Sequence, residues 1–289
     1  MGISRQQAVD CFQSDDLIGL GMEADAVRRR LHPEGVVTYS CVTVLGADGA
    51  ASRSSLLEAA LTGAAVRLTS ASGNLDSLVG GCTVLRQLSS SGWIEASITG
   101  SLLMRIDADA TVALLLEAGV TSIFVDPRSE AGDYAAAQGA ALALHRAACR
   151  RDMRTIAAVP FGCGESIDQR LDFLEAIRRL QDETGIFAAC LPLGIDAPRG
   201  RELDGVTAVE RLKMLAITRM YLDNIPHLRS IQTGAGLKVL QTALKFGADD
   251  AELRVPNTGA TEQDLRRVIR DAGFQPIERD QQYSMMFLN

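Results

Sequence analysis

The chain has 289 residues, 47% of them hydrophobic and 22% charged, with a formal net charge of −7 and a pI near 5.1. Such an acidic surface repels phosphate backbones, which excludes a general nucleic-acid or membrane-surface binder, and 4% aromatics supply too few rings for a stacking platform on single strands. No signal-peptide pattern opens the sequence, no apolar run is long enough to span a bilayer, and the six cysteines, none in a CxxC pair, read as reduced thiols of a cytoplasmic protein.

Residues 1–20 carry a weak helical signal, and Met22–Leu31 a clearer one that stops at His32-Pro33-Glu34-Gly35. The β-branched run Val36–Leu45 predicts a strand, followed by a loop through Gly46 and Gly49 and a helix Leu56–Leu61 capped by Ser54 or Ser55. After Gly63 come strand Ala65–Thr69, the polar loop Ser70–Asn74 and helix Leu75–Leu88. Strand Trp93–Ile98, loop Thr99–Ser101 and helix Asp107–Glu117 follow, then strand Ser122–Val125, loop Asp126–Glu130 and helix Ala135–Cys149. Strand Thr155–Pro160 runs into Phe161–Glu165, Ser166 caps helix Ile167–Thr184, and Phe187–Leu191 is the next strand.

The stretch Arg211–Asp250 reads as a helix with an apolar stripe (Leu212, Leu215, Ala216, Met220), a break at Asp223–Pro226, and strand Leu228–Gln232. A glycine turn at Gly234–Gly236 then opens a helix carrying Leu237, Leu240, Leu244 and Phe246. Glu252–Val255 is the last strand, and Thr261 with Asp264 caps helix Glu262–Asp271. That makes about eight strand–helix units over about 240 residues, the size of a (β/α)8 barrel. A doubly wound open sheet is the rival, but it rarely needs eight repeats of such even length. The predicted fold is α/β, a single (β/α)8 TIM-type barrel over 36–289 with an N-terminal helical extension over 1–35.

Several segments carry a family resemblance. Glu23–Tyr39 (EADAVRRRLHPEGVVTY), Phe161-Gly162, Arg178–Gly185 (RRLQDETG), Met214–Ala216, Tyr221–His227 (YLDNIPH), Gly236–Lys238 and Ile269–Phe274 (IRDAGF) resemble dehypoxanthine futalosine cyclase. That family is made of radical S-adenosylmethionine (SAM) enzymes of the futalosine route to menaquinone, with relatives that include aminofutalosine synthase and enzymes of deazaflavin synthesis. The resemblance implies a barrel whose mouth receives SAM and a nucleoside-type substrate. In the family, a loop after the first strand carries CxxxCxxC, whose three thiolates hold a [4Fe-4S] cluster. Here Tyr39 is followed by Ser40–Gly46 with Cys41 alone, and the next cysteine is Cys82. The family's glycine-rich SAM loop is replaced by Ser70–Asn74, and its acidic last loop is shortened to Glu252–Asn257. SAM remains a candidate ligand; a 4Fe-4S cluster is not expected.

The candidate site residues fall at strand ends. Glu165, Asp126 and His32 are the catalytic candidates, and Tyr39, Ser70, Asn74, Thr99, Arg128, Gly162, Gln232 and Arg254 the ligand-binding ones. Ser72, Ser97, Ser101, Thr233 and Asn257 belong to the same polar set. Convergent hydroxyl, amide and carboxylate groups suit a sugar or nucleoside, and Arg128 or Arg254 suits a carboxylate. Against this stands the general polarity of loops. His32 with Glu34 matches the family motif as an acid–base pair, or else belongs to a structural turn. His227, after Pro226, is read as structural and His145, mid-helix, as surface or packing. Cys41, Cys163 and Cys190 would gather a metal only if all pointed inward; a thiol is more often a small buried hydrophobe, and no metal ligands are assigned.

Three functions are weighed. The first is a cluster-less homologue of the cyclase, a pseudoenzyme that binds a nucleoside-like or SAM-like molecule at the barrel mouth, alone, as a homodimer or beside an active paralogue. The second is a menaquinone-biosynthesis enzyme using acid–base chemistry on a futalosine-type substrate, and the third an interaction partner without a ligand.

Overall fold

The computed structural model describes residues 2–48, 53–61, 65–128, 133–195, 205–232, 236–255 and 259–286. Two helices, α1 (Arg5–Gln13) and α2 (Leu17–Leu31), precede β1 (Val36–Gly46). Strand and helix then alternate through α3 (Arg53–Leu61), β2 (Ala65–Thr69), α4 (Leu75–Leu88), β3 (Ile94–Thr99), α5 (Gly100–Leu103), α6 (Ala108–Glu117), β4 (Ser122–Asp126) and α7 (Tyr134–Cys149). They continue through β5 (Thr155–Phe161), α8 (Ile167–Thr184), β6 (Phe187–Gly194), α9 (Ala208–Tyr221), β7 (His227–Ile231), α10 (Gly236–Ala243), β8 (Asp250–Val255), α11 (Glu262–Asp271) and β9 (Gln275–Glu278).

The eight strands β1 to β8 follow one another in order, and β1 pairs with both β8 and β2, so the parallel sheet closes into a (β/α)8 barrel. The expected fold is the one found. Two features escaped the sequence reading. The short helix α5 replaces the loop expected after Thr99, and β9 adds a ninth strand. β1 is long enough to need two partners on one edge: Val42–Gly46 pairs with β2, while Val36–Tyr39 pairs with β9. The four residues of β9 thereby satisfy backbone groups that β2 is too short to reach.

Helix starts follow their capping chemistry. Ser166 and Gln169 form a capping box on α8, Thr261 and Asp264 one on α11, and Thr207 and Glu210 one on α9. Ser54 and Ser55 lie inside α3, which already begins at Arg53, and so do not cap it. Leu244 and Phe246 likewise fall in the turn that ends α10.

Backbone contacts divide the chain into two compact units, Met1–Ser40 with Val159–Leu253 and Asn257–Asn289, and Cys41–Ala158 with Arg254–Pro256. In the second unit, alternate strand residues Val66, Leu68, Ile94, Ala96, Ile98, Ile123 and Val125 pack with Leu78, Leu85, Val112, Leu115 and Leu144 of the surrounding helices. The intervening residues face the other way and are mainly polar. Arg67 pairs with Glu95, Ser122 Oγ donates to Glu95 at 3.2 Å, and the Arg67 guanidinium lies 4.3 Å from the centre of the Phe124 ring.

The first unit repeats the pattern. Ala251 and Leu253 of β8 are fully buried among apolar neighbours, while Asp250 and Glu252 meet Arg229 of β7. Arg279, just beyond β9, grips both Asp250 oxygens at 2.7 Å. A barrel interior is ordinarily filled by branched aliphatic side chains; here these faces carry cations and anions in matched number, Arg229 and Arg279 against Asp250 and Glu252.

Candidate ligand site at the strand ends

In the second unit, the loop after β2 is organised by a residue the sequence reading did not single out. The Asp48 carboxylate accepts from Ser70 Oγ (2.7 Å), Ser72 Oγ (2.9 Å) and the Ser72 backbone N–H (2.8 Å). The Ser72 N–H, and after it the Ser70 hydroxyl, hold this carboxyl below its ordinary pKa. Ser70 in turn accepts the Asn74 N–H at 2.8 Å, and Asn74 Oδ1 caps α4 by accepting from Ser77 at 3.2 Å. Ser70 and Asn74 are therefore brought together, although much of their hydrogen-bonding capacity shapes the loop itself. Beside it lies an open cleft of about 510 Å3 lined by Ser72, Asn74, Arg105, Asp107, Thr111 and Leu114, of a size that takes a small molecule.

Thr99 ends β3 and lies in register with Asp126 of β4. Asp126 is 5% exposed and accepts from Arg128 Nε (2.9 and 3.0 Å), Arg128 Nη2 (2.5 Å) and the Arg128 backbone N–H (3.1 Å). The two form a bidentate pair two residues apart. Arg254, at the end of β8, holds its guanidinium 5.9 Å from the Phe124 ring centre. Thr233, Asn257 and the side chain of Ser101 lie outside the described residues.

In the first unit, Glu165 is the brace of the loop after β5. It accepts from the backbone N–H groups of Gly162 (3.0 Å) and Cys163 (2.7 Å) and from both Nε and Nη2 of Arg170. Gly162 is required there on two counts: its φ is +81°, and a Cβ would meet Val206 Cγ2 at 2.2 Å. Gly162→Ala is expected to lower stability by about 2–3 kcal/mol, read from urea unfolding; a loss below about 0.5 kcal/mol would mean that Val206 yields freely.

Gln232, directly after β7, is 8% exposed, and its Oε1 has no hydrogen-bond partner among the described residues. Ser40 Oγ on β1 is another such atom. Native structures rarely leave buried acceptors unpaired.

Two candidates lie elsewhere. Tyr39 points away from the strand ends: its hydroxyl donates to Glu262 Oε1 of α11 at 2.7 Å, and burial, with that carboxylate behind it, raises its pKa. His32 closes α2 before β1 begins, so it stands at the N-terminal ends of the strands, opposite the loops that carry the other candidates. Its Nε2 lies 2.8 Å from the Pro226 carbonyl oxygen, and its Nδ1 3.6 Å from Glu34. The turn Pro33-Glu34 and Gly35 at φ +69° fit the structural alternative. His145 is not on the surface; it is 3% exposed and bonds Thr155 Oγ1 at 2.8 Å.

Burial pushes the Cys190 thiol up to about 12, and Cys41, Cys163 and Cys190 form no metal-binding set among the described residues. No described helix is long and apolar enough to cross a membrane.

The comparisons with known proteins agree with this architecture. The CofH/MqnC C-terminal region matches residues 199–288. The chain is 34% identical over 161 residues to aminodeoxyfutalosine synthase of Thermus thermophilus, covering 49% of this chain and 43% of that protein. It is 34% identical over 141 residues to cyclic dehypoxanthine futalosine synthase of Streptomyces coelicolor, covering 44% and 35%. A 5-amino-6-(D-ribitylamino)uracil–L-tyrosine 4-hydroxyphenyl transferase of Methanospirillum hungatei is 29% identical over 150 residues, covering 46% and 41%. Each match thus spans less than half of the relative's length. The crystal structure of methylornithine synthase superposes with a TM-score of 0.74 at 13% identity, covering 96% of this chain and 94% of that one, a likeness of fold. Over residues 199–288, which carry the elements from α9 to β9, the chain is similar to the CofH/MqnC C-terminal region.

Proposed function

We propose that this chain is a cluster-less homologue of the futalosine-pathway enzymes, binding a nucleoside-like or SAM-like molecule at the C-terminal ends of its barrel strands without radical chemistry. One observation carries the reading. β1 runs unbroken from Val36 to Gly46, and its second half is locked to β2 by the register Val42–Gly46 with Ala65–Thr69. Cys41 therefore sits inside a strand, where a cluster-bearing loop needs three thiolates on a short free segment. The other cysteines, at 11, 82, 149, 163 and 190, supply no CxxxCxxC spacing, so the residues present do not fit a 4Fe-4S cluster.

Ligand binding is supported by the cleft beside Ser72 and Asn74 and by the unpaired acceptor of Gln232. The acid–base alternative is less well supported. The carboxylates of Glu165 and Asp126 are taken up by arginines and loop N–H groups, and His32 stands at the other end of the strands.

Titration of the full chain with SAM, adenosine and futalosine-type nucleosides, followed by thermal shift, tests binding. Anaerobic reconstitution with iron and sulfide, followed by SAM-cleavage measurement, tests the chemistry. The expected result is a shift with at least one of these ligands, no stoichiometric cluster and no 5′-deoxyadenosine. A stoichiometric cluster with 5′-deoxyadenosine release overturns the proposal. No shift with any ligand replaces it with an interaction protein.

A further inference from the structure

At the N-terminal ends of the strands, three segments far apart in sequence deliver three metal-ligating side chains to one point. His32 comes from the turn between α2 and β1, His227 opens β7, and Asp249 immediately precedes β8. One ligand atom from each lies within 4.8 Å of the others. Asp249 Oδ2 is the hub, 2.5 Å from His227 Nδ1 and 3.3 Å from His32 Nε2. The Pro226 carbonyl oxygen lies 2.8 Å from His32 Nε2 and also accepts from Arg219 Nη1 at 3.4 Å and Nη2 at 3.5 Å.

The surroundings orient these donors. Asp249 Oδ1 accepts from Arg219 Nη2 at 2.7 Å and from the Leu228 N–H at 2.8 Å, which turns Oδ2 toward the two imidazoles. The His227 ring is held between His32, at 4.8 Å between centroids, and Tyr283, at 4.4 Å. Glu34 stands 3.6 Å from His32 Nδ1, beyond hydrogen-bond length but near enough for a charge contact. Asp249 is 2% exposed while His32 and His227 are 15% and 19% exposed, so an ion has a way in.

We propose that His32, His227 and Asp249 form a zinc site, with a water as fourth ligand. Two imidazole nitrogens and a carboxylate oxygen are a zinc donor set, with bonds of about 2.0–2.2 Å that separate neighbouring donors by roughly 3.3 Å. The Nε2–Oδ2 distance already has that value, and His227 Nδ1 must retreat from Asp249 by less than an ångström. The rings are 21° from parallel, so the ion is reached by turning the His32 ring about χ2, a soft torsion. The ion would tie the turn before β1 to the starts of β7 and β8. It lies at the opposite end of the strands from the proposed ligand loops and does not depend on their reading.

The test uses the chelator-treated full chain, titrated with Zn2+ and separately with Co2+. One equivalent of Zn2+ should survive dialysis and raise Tm in a concentration-dependent way. Co2+ should give visible d–d bands without thiolate charge transfer. His32→Gln, on a partly exposed turn, should weaken binding at least tenfold while the chain remains folded. Asp249→Asn is less informative because it also unpairs Arg219. Failure to retain Zn2+, thiolate bands with Co2+, or unchanged affinity in His32→Gln each overturns the site.

Discussion

Asp250→Asn should destabilise the protein by about 3–5 kcal/mol. Asp250 is wholly buried and accepts from Arg229 Nε (2.8 Å), from Arg279 Nε and Nη2 (both 2.7 Å), from Thr38 Oγ1 (2.9 Å) and from the Tyr283 hydroxyl (3.0 Å). Burial alone would raise its pKa; the two guanidiniums, Arg279 first, reverse that and hold it at about 2. An amide keeps the shape but loses the charge and turns one acceptor into a donor aimed at cations. Two guanidiniums, 0% and 1% exposed, would then be left under-compensated. Arg279 also anchors the segment after β9, so the damage should appear there first. Limited proteolysis should release residues beyond 275 faster in the variant, at urea concentrations where the remainder is still folded. A loss under about 1 kcal/mol with unchanged proteolysis would show that the network is solvated rather than dry.

How much of this could be read in the sequence depends on whether the signal is local. The strand–helix alternation and the caps at Ser166 and Thr261 are local, and they stand as expected. β9 is not: Gln275–Glu278 includes a proline and becomes a strand because Val36–Tyr39 has an edge to cover. The interior charges left a trace that went unused. Asp250, Glu252 and Arg254 alternate with Ala251 and Leu253, a period of two whose buried polar face the reading took for a strand end and loop. Tyr39 was misplaced for a related reason, since alternation says that neighbours face opposite sides but not which side is inside. His32 was decipherable: a residue before a parallel strand belongs to the end opposite the ligand loops.

The charges on these strand faces are balanced locally. Arg67 with Glu95, and Arg229 and Arg279 with Asp250 and Glu252, neutralise one another within their own units. They serve as filling where other barrels use aliphatic layers. The cleft beside Ser72 and Asn74 in the second unit is lined by charged Arg105 and Asp107 as well as by neutral groups.

Acid should weaken the wild-type fold well before its carboxylates titrate, through His145. This imidazole is 3% exposed on α7, with Nδ1 2.8 Å from Thr155 Oγ1 of β5, and burial pushes its pKa down to about 3 from an ordinary 6.5. The folded state therefore keeps the ring neutral while the unfolded chain takes up a proton below pH 6.5. The stability contributed is complete above that value and is lost as the pH falls from 6.5 toward 3. At about 1.4 kcal/mol per pH unit, roughly 2 kcal/mol is gone by pH 5. The variant His145→Leu separates this effect from anything the other two histidines contribute. It should be less stable than wild type at pH 8 by about 1–2 kcal/mol, because Thr155 loses its partner. Between pH 6.5 and 5 its stability should fall less steeply than that of wild type, and the gap between the two proteins should close or reverse. Urea unfolding at pH 8, 6.5 and 5 measures both slopes. Parallel slopes would mean that His145 becomes protonated inside the folded protein, and that the contact between α7 and β5 opens to water far more readily than its burial implies.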